Sequence, residues 1–188
     1  AVVSGGRIKL KDPFEAAIAH GISVDPRGAE HVQKELDRRR KQYDELKPAE
    51  QERYDTELLS NPYSDSRRLH GADDVDVRSI MVGIDTEVGE VVLADRLREK
   101  GTSIDLVWGH HPEGRGLACL GGVMAMQADI LARFGVPINV AEGLLKPRIS
   151  EVSRRVLPAN HMRAVDAALH LDTPMICTHT PADNCVAG

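Results

Sequence analysis

An α/β fold with a βαβ core, a long helical crossover and a helical N-terminal extension is predicted by the order of apolar runs in this 188-residue chain. Three observations carry it. Short apolar runs with strand character recur at 77–84, 103–109 and 174–178, stretches with helical spacing separate them, and residues 12–70 are dominated by charged helix formers.

The elements follow in order. Glu30 to Lys41 and Pro48 to Tyr54 are rich in charge and poor in apolar positions, which predicts exposed helices joined near Lys47-Pro48. The basic run Arg38 to Lys41 offers a phosphate site, but Glu35, Asp37, Asp44 and Glu45 favour a solvated helix face. Asn61-Pro62-Tyr63-Ser64-Asp65-Ser66 reads as a turn-rich linker. Residues 1–71 therefore form a helical extension and linker, and 72–188 an α/β domain. In that domain the strand 77–84 leads to Asp85-Thr86, a helix cap, and to Val88, Val91, Val92 and Leu97 at helical spacing before Gly101. The strand 103–109 completes a βαβ unit. Leu120, Val123, Met124, Ile130, Leu131 and Phe134 mark a helix stopped by Gly135, and the methionines read as core packing. Ile149, Val152 and Val156 mark another helix. Asn160 caps a third, carrying Met162, Val165 and Leu169, ahead of the last strand.

Composition narrows the function classes. With 41% hydrophobic residues the chain can bury one good core. A net charge of −5 and a pI near 5.9 do not suit a nucleic-acid backbone or an anionic membrane. No run of ~20 apolar residues reads as a membrane helix, and no apolar signal-peptide core opens the chain. Cytoplasmic location follows. Cys119, Cys177 and Cys185 are sparse, odd in number and without CxxC spacing, which predicts reduced thiols. The pattern after Asp183 shows no closing helix or strand, which predicts a C-terminally truncated domain.

Chemistry concentrates where strands end. His110 and His111, in Trp108-Gly109-His110-His111-Pro112, close one apolar run, while His179 and Asp183 follow another in Thr178-His179-Thr180-Pro181-Ala182-Asp183. Parallel sheets gather ligands beyond the carboxyl ends of their strands, so the two clusters are expected at one rim. Adjacent side chains on a strand face opposite ways, but Pro112 ends the strand and lets both imidazoles lean over the crevice. Neutral imidazole suits zinc, manganese or iron, and a carboxylate can bridge two such ions. Pro181 predicts a turn rather than a helix between His179 and Asp183. Asp85, ending the first strand, is expected beside the centre or at a helix cap.

Two other arrangements compete. Cys177, His179 and Cys185 form three corners of a structural zinc site, although Cys177 lies inside an apolar strand. Gly114-Arg115-Gly116 offers a phosphate loop, or an ordinary flexible one.

The segments Gly83-Ile84-Asp85, Leu106 to Pro112 and Thr178 to Asn184 resemble the Nif-three-like (NGG-one-interacting factor three) family, whose bacterial members are labelled GTP cyclohydrolase I type 2 homologues. The resemblance covers roughly residues 75–188. It implies the family's layered α/β fold, a dinuclear divalent-metal centre and homo-oligomeric rings. By position His110, His111 and Asp183 match metal ligands, and His179 and Asp85 match residues beside them. The family's remaining ligands come from a C-terminal HxxxE motif. In this chain that pattern occurs only as His31-Val32-Gln33-Lys34-Glu35, on the opposite side of the sequence.

The resulting expectation is a hydrolase with two divalent ions per site, His179 as catalytic acid or base, and a nucleotide-like or heterocyclic small-molecule substrate. The alternative is a metal-stabilised binding or regulatory scaffold without catalysis, recruiting a partner through its N-terminal helices.

Overall fold

The computed structural model describes residues 2–187, and the side chains of residues 3, 4 and 187 are left aside. Five strands form one mixed sheet: β1 (Val2–Lys9), β2 (Arg67–His70), β3 (Asp76–Gly83), β4 (Leu106–Gly109) and β5 (Met175–Cys177), in the order β1-β3-β4-β5-β2. The three inner strands are parallel and the two edges antiparallel to them. Helix α4 (Val88–Glu99) connects β3 to β4 as the βαβ pattern requires. Its N-terminus is closed by Glu90, whose carboxylate accepts from the Glu87 N–H at 2.9 Å, rather than by Asp85-Thr86.

Side chains on the central strands alternate between two apolar layers. Leu106 and Ile176 face one side with Leu10, Phe14 and Ile18, the last two from α1 (Lys11–Ser23). Val107 and Met175 face the other with Val91 and Ala94 of α4 and Ala164 and Ala168 of α9 (Arg163–His170). Each of these side chains larger than alanine, removed from water, contributes about 1.5–3 kcal/mol before conformational entropy is set against it. Short, continuously apolar strands are the expected result of covering both faces.

The first 71 residues are more than helices. They supply both sheet edges, β1 and β2, in addition to α1, α2 (Ala29–Asp44) and α3 (Pro48–Gln51), the last opening at Pro48 as the sequence predicts. Nor is α2 wholly solvated, since Val32 and Leu36 are buried. Gly5-Gly6 and a register shift between Ser4 and Ile8 disguise β1, because they interrupt the period of two by which a strand is read.

The crossover from β4 to β5 is helical throughout and opens with α5 (Gly114–Ala118), but the single helix expected over 120–134 is two short pieces, α6 (Leu120–Met124) and α7 (Met126–Arg133). Gly121 and Gly122, both inside α6, carry little helix propensity and weaken this segment. Then come α8 (Ile138–Val156) and α9, before which Asn160 accepts from the Met162 N–H at 3.2 Å.

A second expectation fails after β5, where the chain forms α10 (Thr180–Ala187) in place of a turn. Pro181 sits in its first turn, where a missing N–H costs nothing because no intrahelical partner exists there. Among the described residues no helix is long and apolar enough to cross a membrane.

Candidate metal centre

The pairing of β4 with β5 sets Gly109 opposite Cys177, so the residues following each strand emerge side by side. The backbone holds the corner beyond the strand ends. His110 N–H donates to Gly83 O at 2.9 Å, His111 N–H to Ile84 O at 2.8 Å, and Thr178 N–H to Gly109 O at 3.0 Å. The Trp108 indole N–H adds a bond to Thr178 Oγ1 at 2.8 Å. Gly109 is required in this corner because a Cβ there would collide with the buried Thr86 side chain.

The two histidine clusters meet at one rim. Ring centroids of His110 and His179 lie 4.8 Å apart with planes 22° from parallel, and His110–His111 and His111–His179 are 5.0 and 5.8 Å apart. One ring nitrogen from each lies within 4.8 Å of the others. Asp183, one helical turn beyond His179, places Oδ1 3.5 Å from His110 Nε2 and Oδ2 3.7 Å from His179 Nδ1. All four residues singled out for the centre are therefore brought together across some seventy positions of sequence.

Two carboxylates orient the rings. Asp85 Oδ1 lies 2.6 Å from His111 Nδ1, the position beside the centre that the sequence suggests. Asp65 Oδ2 lies 3.0 Å from His179 Nδ1. An ionised carboxylate only accepts, so each Nδ1 carries the proton and each Nε2 is left to act as a ligand or to move a proton. The hydrogen bond from Asp65, strengthened by its charge and that of Asp183, holds the His179 pKa above the usual histidine value despite partial burial.

Asp65 was hidden in the segment read as a linker. It is wholly buried, and besides His179 it accepts from Thr180 Oγ1 at 2.6 Å and Ser66 Oγ at 3.0 Å. Tyr63, in the same segment, is also fully buried and joins a polar network beneath α10. Its hydroxyl donates to Asp25 Oδ2 at 2.8 Å, and Asn184 Nδ2 reaches Tyr63 Oη at 3.2 Å and Gly21 O at 3.3 Å. Burial pulls the Asp25 carboxyl up, but hydrogen bonds and charge from Arg27 more than offset it and keep the acid ionised. This network seats the helix that carries Asp183. The hint in the sequence was an aromatic residue inside an otherwise polar turn. Glu113, just past Pro112, was also missed; it is buried, and burial pushes its carboxyl upward.

The competing arrangements fare differently. Cys177 is fully buried, its thiol pushed up to about 12 by burial and directed at Asp65 O, so it does not supply a thiolate for zinc. Arg115 faces Asp55 and Glu57 at 3.5 and 3.6 Å rather than an open phosphate loop. Glu35 is held by Arg27 and Arg39, and His31 sits 3.7 Å from Asp129, so the early HxxxE pair serves the N-terminal helices.

The three histidines form a group that could hold a metal ion. Three nitrogens each ~2.1 Å from one ion are at most roughly 3.6 Å apart when evenly spread, so the imidazoles would draw together by up to roughly an ångström. The donor set, imidazole nitrogens with an adjacent half-exposed carboxylate, is that of a borderline transition metal.

No family model and no curated protein matches the chain. Among solved structures, that of a NIF3 superfamily protein from Sphaerobacter thermophilus is similar to it, with a TM-score of 0.57 and 28% identity over 64% of this chain and 42% of that chain. This chain thus spans under half the length of that relative. With its HHP and HTPAD corners, the chain is NIF3-like in sequence and in its α/β fold.

Proposed function

We propose that this NIF3-like chain is a divalent-metal-dependent hydrolase acting on a nucleotide-like or heterocyclic substrate, with His110, His111 and Asp183 as metal ligands and His179 as the proton-transferring group. The observation that supports it is the meeting of three imidazoles and a carboxylate at the end of a parallel sheet, two of the rings being oriented by carboxylates. When bound, a pair of such cations acidifies water and polarises the bond under attack. Asp183 would supply the carboxylate that holds them beside His110 and His111. His179, kept protonated to higher pH by Asp65, suits the donation of a proton to a leaving group. Asp65 and Asp85 fix ring orientation and tautomer. Assembly into a homo-oligomer belongs to the same reading, and light scattering in solution checks it.

The test is metal analysis of the purified protein beside His110→Ala and His111→Ala. Each variant is expected to lose at least half of the bound metal, and full retention in both would defeat the proposal. A His179→Gln variant that keeps its metal but loses turnover assigns that ring to proton transfer. The alternative, a metal-stabilised scaffold without catalysis, is favoured by one feature: a cavity of about 1280 Å³ lies away from the four site residues. An exchangeable water on the bound metal decides for the enzyme, and saturated protein ligation for the scaffold.

A further inference from the structure

That cavity lies between α2 and the α6–α8 layer, and its lining inverts the charge of the molecule. The chain carries a net −5, yet the wall holds five basic side chains (Arg27, Lys34, Arg38, Arg39 and Lys146) against the three acids Glu35, Asp129 and Glu142. Most of these charges are already matched. Arg27 and Arg39 both grip Glu35, Lys34 pairs with Glu30 at 2.8 Å, and Asp129 faces His31. Arg38, Lys146 and Glu142 are the exceptions, making no side-chain hydrogen bond or ion pair among the described residues. The cations approach the space from different helices, Lys34 and Arg38 one turn apart on α2 and Lys146 on α8.

Much of the rest of the wall is aliphatic (Leu58, Pro62, Val123, Met126, Leu145 and Ile149), with His31, Ser64 and Ser150 among its polar members and no Phe, Tyr or Trp. A nucleobase would find only the His31 imidazole, which already faces Asp129, whereas an alkyl chain would find six apolar side chains. The volume exceeds the usual range for a small-molecule site, which suits an extended body rather than a bare ion.

We propose that this cavity binds a small phosphorylated aliphatic molecule, its phosphate held between Arg38 and Lys146 and its chain laid along the aliphatic wall. The guanidinium can grip two phosphate oxygens at once, while the ammonium acts as a compact charge on the other side. Glu142 stands one turn from Lys146 without an ion pair of its own, so it opposes the anion and limits affinity.

Calorimetric titration of the whole protein with decyl phosphate, below its micellar concentration, tests the site. Saturable binding of one molecule per chain is expected. Arg38→Gln and Lys146→Gln should each weaken it about tenfold, the effect of losing one charge-assisted contact. Glu142→Gln should tighten it severalfold, and Arg155→Gln, off the cavity, should leave it unchanged. Both cations are exposed, so the variants should keep the parent melting temperature. The proposal is overturned by absence of saturable binding, or by parent affinity retained in the Arg38 and Lys146 variants. Decanol binding as tightly would remove the anionic half, and inorganic phosphate or adenosine monophosphate binding as tightly would remove the aliphatic half.

Discussion

The rim that carries the histidines and the helical crossover beside it are built on different principles. At the rim, backbone hydrogen bonds continue past the ends of β4 and β5, carboxylates lock the imidazoles, and Asp65 is wholly buried. In the crossover, Ala128 and Ala141 are the buried apolar residues of α7 and α8, while Phe134, Leu144 and Leu157 are 81%, 67% and 67% exposed. Gly143 and Pro147, both poor helix formers, lie inside α8. The first region tolerates little change because its atoms have no room to move. The second has space, few fixed partners and a solvent-facing surface, which suits a binding wall that adapts to its ligand.

The largest effect that sharpens this contrast is expected at Gly109. Alanine there drives a Cβ into Thr86, in a corner already held by bonds to Gly83, Ile84 and Thr178. Destabilisation of about 3 kcal/mol is expected from overpacking of this kind, read as a lower denaturant midpoint with an unchanged slope. A loss under about 0.5 kcal/mol, the scale of ordinary surface changes, would mean that the corner yields and the contrast is misplaced.

Next is Asp65→Asn, which keeps the shape and removes a buried charge that accepts from His179, Thr180 and Ser66. A cost of about 2 kcal/mol is expected, typical of hydrogen bonds to a charged group. The sign with pH follows from His179, whose folded pKa is raised above its unfolded value by Asp65. The stability this adds is fully present below about pH 6.5, the unfolded value, and is lost as pH rises through the folded pKa. In metal-free protein the gap between parent and variant should therefore narrow from acid to alkaline pH. Chemical denaturation across pH measures it, and NMR titration of the His179 ring should show its pKa falling in the variant. A gap that widens toward alkaline pH would contradict the pairing.

How much of this was legible in the sequence divides along the same line. The rim was readable because its signals are local: short apolar runs, a proline closing one of them, and histidines at the ends. Asp65 was not, since its partner His179 lies 114 residues away and Tyr63 alone in Asn61 to Ser66 hints that the turn is buried. Pro181 misled because the rule that proline breaks helices reverses in the first turn. In the crossover, apolar spacing located the helices but not the breaks between α5, α6 and α7, which fall at Cys119 and Ala125 and are marked by neither proline nor glycine.

The smallest expected effect has the opposite sign and lies in the crossover. Gly143 is inside α8, has a backbone conformation open to any residue, and a Cβ built on it meets nothing within 4 Å. Alanine restricts the unfolded chain and favours the helix, so Gly143→Ala should stabilise by about 0.5–1 kcal/mol. The same chemical change thus weakens the molecule at Gly109 and strengthens it at Gly143, because in one place the added methyl displaces atoms and in the other it displaces water. If thermal unfolding shows both substitutions destabilising to a similar degree, α8 is packed more tightly than its exposed surface implies. The adaptable wall inferred for the cavity would then lose its physical basis.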